Sequence, residues 1–128
     1  MVKTGTHKID ISVEARYYPQ HSLPRENQYF FIYYITIKNN CDFAVKLIKR
    51  HWDIFDSNGD NRQVDGEGVV GETPELLPGE SFSYNSGCNL LSDIGYMLGF
   101  YTLVKLDDGS EFSVDIPRID LLVPARLN

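Results

Sequence analysis

Gly66-Glu67-Gly68-Val69-Val70-Gly71 carries the G-x-G-x-x-G spacing that, in a dinucleotide-binding fold, closes a strand and opens a helix on a pyrophosphate. Here the helix has nowhere to form. Glu72-Thr73-Pro74-Glu75 follows at once, then Leu76-Leu77-Pro78-Gly79. Two prolines and a further glycine deny a helix its N–H ladder. The loop therefore points away from a Rossmann enzyme, and its flanks decide the fold.

Both flanks read as strands. Upstream, residues 43–56 change parity midway, with Val45 and Leu47 apolar at odd positions and Trp52 and Ile54 at even ones. A one-residue slip reverses every side chain, so a β-bulge or a sheet switch is expected near residues 48–50. Asn58-Gly59 predicts a hairpin, with residues 62–65 as the short return strand. Downstream, Pro78-Gly79 makes a turn, and Phe82 and Tyr84 alternate with Ser81, Ser83 and Asn85. Residues 95–106 form a long strand, read with Tyr96, Leu98, Phe100 and Val104 on its core face. Asp108-Gly109 turns it into Phe112, Val114 and Ile116. Pro117 is expected to break that strand, leaving a last short one at residues 119–123. Nearer the N-terminus, Ile9, Ile11, Val13, Ala15 and Tyr17 alternate with polar residues. Residues 28–38 are apolar on both faces, after a polar loop at residues 19–27. No convincing helix appears. Seven to nine strands at short spacing predict an all-β sandwich, a single domain over residues 1–128.

The net charge is −6, which opposes general attraction to nucleic acid or to acidic membranes. Lys46, Lys49 and Arg50 do not extend into a basic stripe. No apolar run approaches the roughly 20 residues of a membrane span, and residues 1–10 contain no apolar core of a signal peptide. The two cysteines, Cys41 and Cys88, have neither C-x-x-C spacing nor partners for a zinc site, and read as free thiols of a cytoplasmic protein.

Arg50-His51-Trp52, Asp56-x-Asn58-Gly59, the glycine string running into Glu72-x-Pro74, and Leu77-Pro78-Gly79-Glu80-x-Phe82-x-Tyr84-x-Ser86 occur in one order. Together with Ile11-x-Val13-x-Ala15-x-Tyr17 near one end, and Ile116-Pro117 and Leu122-Val123-Pro124 near the other, this string resembles the ApaG family. The resemblance implies an immunoglobulin-like or fibronectin type III-like sandwich. It also implies relatives of two kinds, free-standing bacterial proteins and domains appended to eukaryotic F-box and polymerase-associated proteins. Those contexts imply a protein-interaction module, and the bacterial name implies a link to cobalt resistance and magnesium efflux. The family supplies no catalytic residues to carry over.

Four groups of residues are candidates for function. Gly66, Gly68 and Gly71, with Arg62 or Arg50 nearby, are a nest of backbone N–H groups for a metal-pyrophosphate species, although Glu67 and Glu72 place negative charge there. Asp56, Asn58, Asp60 and Glu67 fall at EF-hand ligand spacing and are candidates for a weakly held divalent cation. Asn61 stands where such a loop needs glycine. His7, His21 and His51 are the soft ligands available to Co²⁺ or Zn²⁺, at spacings that share no face. Finally, Phe30, Ile32 and Tyr34, and Met97, Tyr101 and Leu103, form the second apolar faces of two long strands. If these strands are neighbours, they make an outward patch for a partner. Ser83, Ser86 and Cys88 lack a nucleophile elbow or base, so no enzymatic activity is expected. The leading expectation is a non-catalytic module without cofactor that binds a protein partner, a second copy of itself among the candidates. The alternative is a module holding metal-pyrophosphate or a divalent cation at the glycine loop.

Overall fold

Wherever the sequence alternates with period two, the chain is extended. The computed structural model describes residues 8–124. Among them are eight strands: β1 (Ile9–Tyr17), β2 (Tyr29–Asn39), β3 (Val45–Asp56), β4 (Asn61–Glu67), β5 (Glu75–Leu76), β6 (Ser81–Leu90), β7 (Ile94–Lys105) and β8 (Glu111–Leu122). They form two antiparallel sheets. The smaller has the order β1-β2-β6; the larger runs β4-β3-β7-β8, with the short β5 also paired to β3. The apolar residues of both inner faces merge into one core, in which Phe31, Ile35, Ile37, Leu47, Trp52 and Tyr101 are buried. The fold is a β-sandwich, as the strand pattern predicts. Residues 19–27 hold two short 3-10 turns, each with a proline in its first turn.

The parity change in β3 is a bulge. Leu47 faces Leu103 and Lys49 faces Thr102, so Ile48 is the extra residue. Past it, Arg50, Trp52, Ile54 and Asp56 share the inward face. The chain leaving β4 is stitched to β3 at this same place: Gly68 N–H donates to the Ile48 carbonyl at 2.8 Å, and Leu47 N–H donates to that of Pro74 at 3.0 Å.

Two strand readings need correction. Pro117 does not end its strand. β8 continues through it, because Met97 faces Ile119 while Gly99 faces Ile116, leaving Pro117 and Arg118 opposite Leu98 alone. β8 is an edge strand, and a bulge at an edge accepts a residue with no N–H to donate. In β7 the faces are the reverse of the expectation: Met97, Tyr101 and Leu103 are 1%, 0% and 0% exposed, and Leu98 and Phe100 face out. A strand apolar on both sides does not say which side is inward. The deciding contact comes from β3, since a Cβ on Gly99 would lie 2.7 Å from the Trp52 ring. Only a glycine there leaves room for the indole in the core.

Candidate functional site

The outer face of the larger sheet carries aromatic residues in register. His51 pairs with Phe100 across β3 and β7, and their rings stack at 4.9 Å and 22°. Four residues along β3, Phe55 stacks on Tyr96 at 4.6 Å and 17°, and the Arg118 guanidinium lies 3.9 Å over the Tyr96 ring. Arg118 Nε also donates to Asp120 Oδ1 at 2.8 Å, which fixes the guanidinium over the ring. Beside this pair a cavity of about 570 Å³ opens between Phe55, Ile94, Tyr96, Arg118 and Leu122. Ile94, Leu98, Phe100 and Leu122 are exposed along the same face. A sheet face turned to water ordinarily carries polar residues.

His51 sits in this face between two carboxylates. Its Nδ1 lies 2.6 Å from Asp65 Oδ1 and its Nε2 lies 3.0 Å from Asp53 Oδ2. Both ring nitrogens thus meet acceptors, which only the imidazolium, with two N–H groups, satisfies. The hydrogen bond to Asp65 is the largest cause holding its pKa above the ordinary value; Asp53 adds to it and burial works against it. The sequence contained a signal for this: His51-x-Asp53 places both side chains on one strand face, and the Asn58-Gly59 hairpin brings Asp65 opposite His51.

The glycine loop is built differently from an anion nest. Val69 and Glu72 exchange backbone hydrogen bonds of 2.8 and 2.9 Å around Val70 and Gly71, whose φ values of 43° and 79° suit a two-residue turn of the I′ kind. The N–H groups of Gly68, Val69 and Glu72 are consumed within the chain. The carbonyls of Glu67 and Gly68 instead accept from Arg50 Nη1 at 2.9 and 3.0 Å. Arg62 is turned away and donates to the Asn89 carbonyl on β6. The pyrophosphate arrangement of Gly66, Gly68, Gly71 and Arg62 is therefore not assembled, because the Gly68 N–H is spent on the Ile48 carbonyl and Arg62 is turned to β6.

The acidic set is parted as well. Asp56 is 5% exposed and accepts hydrogen bonds from Leu91 N–H at 2.6 Å and from the Ser92 hydroxyl. Asn58 and Asp60 bond one another across the hairpin turn, Asp60 N–H donating to Asn58 Oδ1 at 2.9 Å. Glu67 is at the far end of β4, opposite Lys49. Among the described residues no three His, Cys, Asp or Glu side chains come together as a metal site. His7 lies outside the described residues. His21 stacks near Tyr18 and Phe30, at 4.8 and 5.7 Å.

The expected patch divides between the sheets. β2 lies in the smaller sheet and β7 in the larger, so the two strands are not neighbours. Phe30, Ile32 and Tyr34 do face outward on β2. However, Tyr18 and His21 lie against Phe30, and Arg16 lies 5.5 Å over the Tyr34 ring. Met97, Tyr101 and Leu103 belong to the core. Tyr101 hydrogen-bonds the Tyr84 hydroxyl there, and burial pushes the pKa of both phenols up.

Fold and surface together define an antiparallel β-sandwich protein that exposes Ile94, Leu98, Phe100 and Leu122 on the outer side of its larger sheet. The chain belongs to the ApaG domain family, whose profile matches residues 19–105. It is 45% identical over 122 residues to the ApaG protein of Xanthomonas campestris pv. campestris, covering 95% of each chain. It is 44% identical over 126 residues to that of Brucella canis, covering 98% of this chain and 96% of the relative. A solved structure described as an ApaA protein from Bordetella pertussis superimposes with a TM-score of 0.88 at 40% identity, over 97% of this chain and 98% of that one. Among the described residues no helix is long and apolar enough to cross a membrane.

Proposed function

We propose that the protein is a non-catalytic interaction module of the cytoplasm that binds a protein partner through the outer face of its larger sheet. The observation that supports this is the stacked His51–Phe100 and Phe55–Tyr96 pairs, with Leu98 exposed between them on a face free to be solvated. Aromatic rings flanked by arginine are what the centres of interfaces are built from. On this reading the association with cobalt resistance and magnesium efflux runs through the partner rather than through an ion held by this chain. A second copy of the chain is one form the partner takes. The test places a photo-cross-linking residue at Leu98 in cells expressing the protein from its own locus. One discrete adduct is expected, lost with Phe100→Ser or Tyr96→Ser in folded protein and kept with Tyr34→Ser. An adduct indifferent to Phe100→Ser and Tyr96→Ser, or no adduct, refutes the reading.

A further inference from the structure

The two sheets meet differently at their two sides. β1 packs along β8. The opposite edges, β6 of the smaller sheet and β4 of the larger, leave a cavity of about 220 Å³ between the sheets. Among the described residues its lining holds two guanidiniums, Arg50 and Arg62, and no carboxylate. Arg50 faces it because of the bulge at Ile48, and Arg62 because it lies opposite Ile54. No ion pair among the described residues engages either one. Arg50 donates from Nη1 and Arg62 from Nη2, so each retains N–H groups on its other nitrogens. Trp52 lines the same cavity, is 2% exposed, and has an indole N–H with no acceptor among the described residues. Buried donors almost always have partners. In a chain of net charge −6, two guanidiniums without a carboxylate partner among the described residues, around one cavity, favour a small oxyanion.

The strand bordering the cavity says how that anion arrives. β1, β4 and β8 carry charged residues along their length, and β8 has Pro117 as well, the usual protections of a sheet edge. β6, Ser-Phe-Ser-Tyr-Asn-Ser-Gly-Cys-Asn-Leu, has no charge and no proline over its 10 residues. Its outward backbone groups follow from two bonds. Asn39 N–H donates to the Glu80 carbonyl, so even-numbered residues face β2. The Asn89 carbonyl accepts from Arg62, so odd-numbered ones face away. Ser83, Asn85 and Gly87 thus present N–H and C=O groups to an added strand. A partner residue opposite Ser86 or Cys88 would have its side chain on their face, over the cavity.

We propose that β6 takes an extended segment of a partner protein as an added strand, and that one Asp or Glu side chain of that segment enters the cavity between Arg50 and Arg62, beside Trp52. This rests on reading the chain as an interaction module and assigns it a second surface, distinct from the outer face of the larger sheet. The test is an NMR titration of isotope-labelled protein with a capped seven-residue peptide of Thr, Val and Ser around one central Glu. Saturable shifts at residues 83–89 and at the Trp52 indole N–H are expected. Binding should weaken at least tenfold when the central residue is Gln, or in Arg62→Gln. Asn85→Pro, which removes an outward N–H without touching the β2 pairing, should abolish it. Equal binding of the Gln peptide, or silence at millimolar peptide, overturns the proposal. So does a response of the indole to inorganic phosphate or acetate with none to the peptide, which would make this a free-anion site. Shifts confined to the surroundings of Phe100 would sink the edge site while leaving the outer-face reading intact.

Discussion

Three residues carry constraints that single substitutions expose. Val70 is β-branched at φ 43°, in the left-handed region, and half exposed. The left-handed conformation costs an L-residue roughly 1–2 kcal/mol, so Val70→Asn should stabilise the protein by about 1 kcal/mol in urea unfolding. Asp56 acts as a clamp on the turn between β6 and β7, and hydrogen bonds to a charged group contribute about 1.5–3 kcal/mol. Asp56→Ala should therefore lose about 2 kcal/mol or more, and Mg²⁺ should leave the stability of both proteins unchanged. A Mg²⁺-dependent rise in the midpoint of the parent alone would restore the cation reading. His51 has its folded pKa raised above 6.5, chiefly by Asp65. Its imidazolium therefore contributes stability that is full below the unfolded value and is lost as pH rises through the folded one. The stability difference between the parent and His51→Gln should be larger at about pH 5.5 than at about pH 9, and about 1 M salt should shrink it, because Asp65 is exposed. A difference constant across that range would show that His51 has the same pKa folded and unfolded, and that the two carboxylates do not favour its imidazolium.

Strand packing makes its own predictions. β7 comes close enough to β3 that a Cβ at Gly99 meets the Trp52 ring at 2.7 Å as well as the His51 carbonyl. Gly99→Ala should cost about 1–3 kcal/mol, the range for overpacking a filled core, and should shift the Trp52 fluorescence. Pro117 lies in a bulge on an edge, where the ladder asks nothing of its nitrogen. Pro117→Ala should change stability by less than about 1 kcal/mol, and a larger loss would mean that the proline fixes the register of β8. The elements also show where reading by period stops. β1 and the two halves of β3 were legible because one face is apolar and the other polar. β7 was not, since both of its faces are apolar and only the approach of Trp52 to Gly99 sets its orientation.

For the molecule as a whole, both thiols are buried, Cys88 between the sheets and Cys41 at the turn between β2 and β3. Cys41 and Cys88 are 7% and 4% exposed, and burial raises the Cys88 pKa to about 11 despite Arg62 beside it. A thiolate is the reactive form. Alkylation at about pH 8 should therefore proceed at the rate of unfolding and accelerate with denaturant in parallel for both residues. Fast labelling of Cys88 alone would show that the side between β4 and β6 opens locally.

The sequence by itself determined that the chain is a β-sandwich, where β3 slips, where the first hairpin turns, and that the glycine string opens no helix. These are local matters: alternation, turn chemistry and proline placement act over a few neighbours. The resemblance carried by Arg50 through Ser86 also fixed the family. Only the tertiary structure decided that the Gly68, Val69 and Glu72 N–H groups are spent within the chain, and that Asp56 is buried against Leu91 N–H and the Ser92 hydroxyl. It also decided that β2 and β7 lie in different sheets. Each of these depends on which strands become neighbours across the sandwich, and that is set by the fit of side chains such as Trp52 over Gly99, which no periodicity along the chain records.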